Sequence, residues 1–422
     1  MVGPFAGLRV VEFGQYIAVP YCAQLLADGG ADVVKVEPLD GDPTRHNGEI
    51  IPGEARQFLN KNRGKRSLAI DLGDQEALDA VHTLVATADI VLVNFRPGLA
   101  ERLGLDYPAI SQRNPRVIYA ENTAFGRTGP MADAPGMDII VAAYAGLTFP
   151  TEEGPQPFPD PIVDYTAALL LAWGISTALY HRERTGHGQK LDVSLLHAAM
   201  VLQNNHLIHV DAVDGWRYTF LEFLKNAFTE GRSWSDIWEE RERMQPFRFL
   251  RAYYGFFRTS DGAIAIATAG HLNRQRLLRL LQLEDPWVTD PGWQPADAAA
   301  YAEQLYAQVA SVLRTRTTAE WLEECARSGI PASPLRLREE LFEDPQARAN
   351  EAFVRLEHDL VGGLTVVAPP VRYSATPLAV LRASPPLGSH SREVLRELGL
   401  SDTAVDRLIT RNVVRDYPKT GE

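Results

Sequence analysis

Five short runs in the first third of the chain are almost continuously apolar: LRVVEF (8–13), ADVVKVE (31–37), SLAIDL (67–72), DIVLVNF (89–95) and VIYAENTAF (117–125). They are rich in Val and Ile and show no polar face. That pattern predicts strands buried on both sides of a parallel sheet. The intervening stretches YCAQLLADGG, QEALDAVHTLVATA and PGLAERLGL read as helices. Repeated β–α–β alternation predicts an α/β fold with a doubly wound parallel sheet. Ligands of such sheets sit outside the carboxyl ends of the strands.

Past Gly129-Pro130 the pattern changes. A long apolar helix is expected to begin near Asp164 and to stop at TGHGQ (185–189), followed by a strand (KLDVSL) and a helix (LLHAAMVLQ). Residues 211–245 are aromatic and heavily charged, as expected of a solvated helix face; YYGFFRTSDGAIAIAT then reads as a hairpin, with two helical stretches reaching Ser328. GIPASPL marks a crossing, and strand-like TVVAPPVRYS and the helical SREVLRELGL close the chain. The expected organisation is a large domain from residues 1–210, a smaller α+β domain from 211–328, and a return to the large domain from 329–422. A length of 422 residues allows two cores.

Charge narrows the partners. The net charge is -12, and a uniformly acidic surface repels phosphate backbones, so nucleic acid is not expected. Two distant cysteines, Cys22 and Cys325, build no disulfide framework or cysteine-rich metal site, which suits the cytoplasm. MVGPFAGLRVVEF lacks the layout of a signal peptide. The apolar stretch Tyr165–Tyr180 is shorter than the roughly 20 residues a spanning helix needs. It reads as a core helix, and no membrane is expected.

Asp164 is the first candidate for chemistry. Before an apolar helix it reads as an N-cap, its side chain accepting an orphan N–H. The same place suits a nucleophile: the helix end favours a carboxylate, and its N–H groups can hold an oxyanion. The segment KNRGKRS supplies Lys61, Arg63, Lys65 and Arg66 near one strand, and Arg96 and Arg102 follow the next. On an acidic chain these are where a small polyanion is expected to dock. The first turn, FGQYIAVP, has no G-x-G-x-x-G, so Glu37 does not complete a dinucleotide site. The histidines show no metal-ligand spacing, His181 and His187 flank a helix end, and no metal site is expected.

The chain resembles the class III CoA-transferase family, which includes formyl-CoA and carnitine CoA-transferases and the related α-methylacyl-CoA racemases. The resemblance rests on the ordered set GLRVVEF, A-x-P (18–20), LLADGGADVVKVE, NRGKRSLAIDL, NFRPG, NPRVIYA, GRTGP, PGMDII, HRERTGHGQKLDVSL, GIPASP and PPLGSH, spread over nearly the whole chain. It implies an interlocked homodimer and a nucleophilic aspartate at Asp164. Coenzyme A or its thioester is then a substrate, with no tightly bound cofactor and with a small carboxylic acid as the other partner. CoA-contacting positions carry over to Ala18, Ile70, Asn94, Arg96, Gly98 and Arg102, and further to Tyr16, Lys65 and Arg66. Gln15, Ile17, Met137 and Asp138 fall in the expected substrate pocket.

Departures shape the expectation. The racemases carry a His where this chain has Met137, so α-proton exchange through that pair is not expected. The glycine-rich loop of the formyl-CoA enzymes has no counterpart near MQPFRFLRAYYG (244–255), and Ile17 stands where they place a glutamine. Gln15 and Tyr16 suit a second carboxylate or hydroxyl, which points to a dicarboxylate such as succinate. Two rival readings stand beside it: an acyl-CoA racemase or isomerase of the same fold, and, from a different class, a non-catalytic CoA-binding or scaffold protein.

Overall fold

The computed structural model describes residues 3–417 apart from 152, 246–250 and 291, so part of MQPFRFLRAYYG lies outside the described residues. The chain divides into two compact units, residues 1–210 with 349–422, and residues 211–348.

In the first unit, β1 (Arg9–Phe13), α1 (Ala18–Asp28), β2 (Asp32–Glu37), β3 (Arg66–Ile70), α2 (Gln75–Ala86), β4 (Ile90–Val93) and β5 (Ile118–Thr123) alternate much as the apolar runs predict. Next come α3 (Asp138–Tyr144), α4 (Ile162–Thr185), β6 (Gln189–Ser194) and α5 (Leu195–Leu202).

The second unit contains helices α6 (Trp216–Thr229) and α7 (Trp234–Met244), which carry the charge run on largely solvent-facing positions. Strands β7 (Tyr254–Arg258), β8 (Ala263–Ala267) and β9 (Ala332–Pro334) form an antiparallel sheet in that order. Helices α8 (His271–Leu281), α9 (Ala298–Leu313) and α10 (Thr318–Ser328) share its core, with Phe257, Ile264, Leu277, Val309 and Trp321 buried together. Because β9 pairs with β8, residues 329–348 belong to this unit and the return begins at 349.

The returning segment holds the hairpin β10 (Phe353–His358) and β11 (Gly362–Val367), then α11 (Ser391–Glu397), α12 (Asp402–Thr410) and β12 (Val414–Arg415). Strand β11 stops before Pro369-Pro370, which lack the N–H a ladder needs. The last helix and strand are additions to the sequence reading.

The central sheet runs β6-β5-β4-β1-β2-β3-β12, parallel except for the antiparallel β12 at its edge. Alternation along each strand splits the core in two. Val11, Phe13, Val34, Val36, Leu68 and Ile70 face α2, α11 and α12. Val10, Val33, Ile90, Leu92 and Ile118 face α1 and α4. Helix α4 is long and apolar enough to cross a bilayer, yet Ala168, Leu171, Ile175 and Ala178 are built into that second core. Strand order reverses between β1 and β4, and the crevice at their carboxyl ends is where such a sheet presents its ligand.

Candidate active site

Helix α4 begins at Ile162, so Asp164 is its third residue and not its cap. The capping carboxylate comes from another helix. Asp138, the first residue of α3, accepts the N–H groups of Val163 at 2.9 Å and Asp164 at 3.0 Å on one oxygen. The N-cap expectation for Asp164 is therefore corrected, and for a useful reason. With Asp138 satisfying the helix end, the Asp164 carboxylate is left without a hydrogen-bond partner among the described residues.

The expectation that the helix end favours the Asp164 carboxylate also changes. Burial and the neighbouring Asp138 charge push its carboxyl up to about 7, with Lys61 opposing. The favourable helix-end potential acts first on Asp138, whose oxygen occupies it. Burial raises the Asp138 carboxyl as well, against the two N–H bonds.

The pH dependence follows. Exchange at low acyl-CoA concentration is expected to rise with pH through an inflection near 7, as Asp164 loses its proton. Asp138→Asn removes the repelling charge and is expected to move that inflection to lower pH; an unmoved inflection would sink the coupling. For stability, the raised carboxyl favours folding below the unfolded value of about 3.9, and that contribution is lost as pH rises through the folded value. Asp164→Asn is thus expected to raise Tm by about 2 °C or more at pH 8 and to lose the gain in acid.

The turn after β1 stands beside this pair. Gly14 is required there, because a Cβ would lie 2.2 Å from Val19 Cγ1. Tyr16 has φ +66°, a left-handed conformation that costs a non-glycine residue about 1–2 kcal/mol. Ala18, the first residue of α1, packs with Val141 of α3 and with Val163 and Ala167 of α4. Tyr21 meets Tyr165 edge-on at 5.0 Å between ring centres. These contacts set Gln15, Tyr16 and Ile17 at the same end of the sheet as Asp138 and Asp164. Helix α1 has Ile17 at its N-cap and no side-chain cap, leaving its first N–H groups uncapped. Met137, at the start of α3, is 52% exposed and has no group that exchanges a proton.

The basic segment is corrected more sharply. Lys65 is fully buried, its ammonium held by Glu12 at 2.7 Å, the Pro20 carbonyl at 2.8 Å and Asn62 Oδ1 at 2.7 Å. Arg66 is bound by Asp32, Glu393 and Glu397, and Arg63 by Asp28. None of these presents a free cation to a ligand; the run sits under the sheet ends, where buried charges must be paired. Ile70 is likewise a core residue, paired with Val414. Glu37 accepts from Arg45 and Ser67, which occupies the carboxylate a ribose would need. Asn94 is committed too: its Oδ1 takes the Gln15 N–H at 3.0 Å and its Nδ2 donates to the Gln15 carbonyl at 2.9 Å.

Arg96, Gly98 and Arg102 remain exposed beyond β4, and neither arginine forms an ion pair among the described residues. Gly98 has φ +77°, which opens the short helix 99–103. Within the basic segment, Lys61 is the cation that acts on Asp164, a role different from the expected docking of a polyanion. Burial draws it down to about 8, against Asp42 and Asp164, and its ammonium donates to the Gln57 carbonyl and Asn60 Oδ1. No cluster of three or more metal-ligating side chains occurs among the described residues.

The model of CoA-transferase family III matches residues 5–391. The chain is 33% identical over 413 residues to a succinate–glutarate CoA-transferase of Agrobacterium fabrum, covering 94% of this chain and 96% of that one. It is 31% identical over 429 residues to the succinyl-CoA–L-malate CoA-transferase alpha subunit of Chloroflexus aurantiacus, covering 97% and 92%. The orthorhombic crystal structure of Rv3272 from M. tuberculosis superposes with a TM-score of 0.74 at 31% identity, covering 93% of this chain and 99% of that one.

Proposed function

Because this chain belongs to CoA-transferase family III, and so moves coenzyme A between an acyl-CoA and a carboxylic acid, we propose that Asp164 is the nucleophile and that the exchange runs through covalent aspartyl intermediates. A carboxylate oxygen of Asp164 attacks the thioester carbonyl. The C–S bond breaks, giving a mixed anhydride and bound CoA thiolate. The thiolate attacks the Asp164 carbonyl and expels the donor acid, leaving an aspartyl-CoA thioester. The acceptor acid then repeats these steps in reverse. Dividing one difficult exchange into easier steps is what a carboxylate nucleophile offers.

One observation carries this reading: a half-buried carboxylate with no hydrogen-bond partner among the described residues, held at the carboxyl end of the sheet by a helix that another residue caps. Asp138 thereby orients Asp164 through the α4 backbone. Arg96 and Arg102 are the cations that would meet the CoA phosphates, with Gly98 and the main chain of Ala18 alongside. Tyr16 and Gln15 supply a hydroxyl and an amide toward the acyl group, which fits a dicarboxylyl donor such as succinyl-CoA. Two relatives, a succinate–glutarate CoA-transferase and a succinyl-CoA–L-malate CoA-transferase subunit, support that choice. The decisive experiment is a screen of acyl-CoA donors against small carboxylic acids; activity with succinyl-CoA and a dicarboxylate is expected, and no transfer with any pair would overturn the reading.

The enzyme is further proposed to act as a cytoplasmic homodimer. Helices α3, α4 and α5 pack on one another and leave Ile139, Ile140, Tyr144, Leu169, Trp173 and Met200 exposed, an apolar surface suited to a second copy. Both cysteines are buried and unpaired, as in a reducing compartment. Light scattering is expected to return about twice the chain mass of 46.7 kDa; a monomer would remove the dimer.

A further inference from the structure

We propose that the Asn94 side chain is a positioning group of the acyl pocket, acting through the turn Gly14–Ile17. The inference rests on the transferase chemistry proposed at Asp164.

Three elements grip three consecutive residues of this turn. From the end of β4, the Asn94 amide closes on both the N–H and the carbonyl of Gln15, at 3.0 and 2.9 Å. From β2, the buried Lys35 ammonium donates to the Gly14 carbonyl at 2.6 Å. From the loop after β2, an Asp42 oxygen accepts the Tyr16 N–H at 3.4 Å. The turn they hold contains the left-handed Tyr16 and spans the reversal point of the strand order, between β1 and β4.

A strained backbone persists only where its surroundings over-determine it. Here the two-point clamp is the only side-chain hydrogen bonding to the Gln15 backbone among the described residues, and it lies immediately before the strained residue. Without it, Tyr16 can relax toward ordinary backbone angles, which would swing its ring. Because Ala18 shares one buried cluster with Val141 and Val163, a shift of the turn is felt next to Asp138 and Asp164. Asn94 therefore fixes which acyl group fits, while the CoA portion of the donor is held elsewhere.

The two roles separate in the variant Asn94→Ala. The expected result is that kcat for the preferred acyl donor falls by about 100-fold, the loss that a displacement of roughly 1 Å produces. The preference among donors narrows, while the affinity for free coenzyme A stays within about twofold of wild type. Hydrogen exchange at the Gln15 and Tyr16 amides is expected to speed up locally, the rest of the sheet remaining protected. Tyr16→Gly, which accepts the left-handed turn freely, is expected to lose donor preference yet keep slow exchange at Gln15. Equal weakening of free coenzyme A and of every donor, with unchanged exchange at Gln15, would overturn the proposal. If the wild-type enzyme transfers no CoA at all, the proposed function fails, and the exchange measurement alone decides for or against the clamp.

Discussion

Asp164→Ala is expected to lower CoA exchange by about four orders of magnitude or more, as removal of a covalent nucleophile does. The fold should survive, because residues 163 and 164 still present their N–H groups to Asp138. Intact-protein mass spectrometry after incubation with the working acyl-CoA is expected to show an adduct on wild type, trapped at Asp164 by hydroxylamine, and none on the variant. Binding of free coenzyme A should persist in both. A variant that keeps more than about a tenth of the rate would remove Asp164 from the mechanism. Binding without any adduct on wild type would favour a non-catalytic CoA-binding protein. Uptake of solvent deuterium at the α-carbon with no acceptor acid present would favour a racemase, against the exposed Met137.

Lys35→Met carries the largest expected effect on stability. Lys35 and its register partner Glu12 are fully buried on neighbouring strands. The Lys35 ammonium reaches Glu12 at 2.8 Å, the Gly14 carbonyl at 2.6 Å and Asp42 at 3.0 Å, using all three of its donors. Glu12 passes the charge on to Lys65, which is saturated in the same way. Removing one member leaves a buried carboxylate short of a counter-charge, a loss of about 3–5 kcal/mol. Tm is expected to fall by roughly 10 °C. Glu12→Gln combined with Lys35→Met should be less destabilising than the sum of the two, by about 1 kcal/mol or more. A loss below about 1 kcal/mol for Lys35→Met would mean that the network is dispensable. Because Lys35 also holds Gly14, this variant should disturb the acyl pocket as well.

The strands were legible because Val- and Ile-rich runs buried on both faces have few alternative homes. The small sheet of the second unit was legible for a similar reason: the Ser-Asp-Gly turn separates two alternating runs, and β7 and β8 pair across it. What escaped were features whose energy comes from distant partners. Val414 and Arg415 form a strand only because β3 offers them an open edge. Lys65 and Arg66 looked like phosphate ligands because charge in a sequence carries no label for what it meets. Their partners Glu12 and Glu397 lie 53 and 331 residues away.

Asp164 divides in the same way. Its place at the start of an apolar helix, and its candidacy as a nucleophile, followed from local pattern and from the ordered motifs of the resemblance. That it is the third helical residue, with Asp138 as the cap, is a tertiary fact, since the cap lies 26 residues earlier on a different helix. The order of apolar runs determined the α/β architecture, because hydrophobic periodicity is a property of neighbours along the chain. Which charges are consumed in the core, which carboxylate is left unbonded and how far its proton affinity rises were decided only by folding. Burial and Coulomb interaction depend on distance in space, and the sequence does not carry that distance.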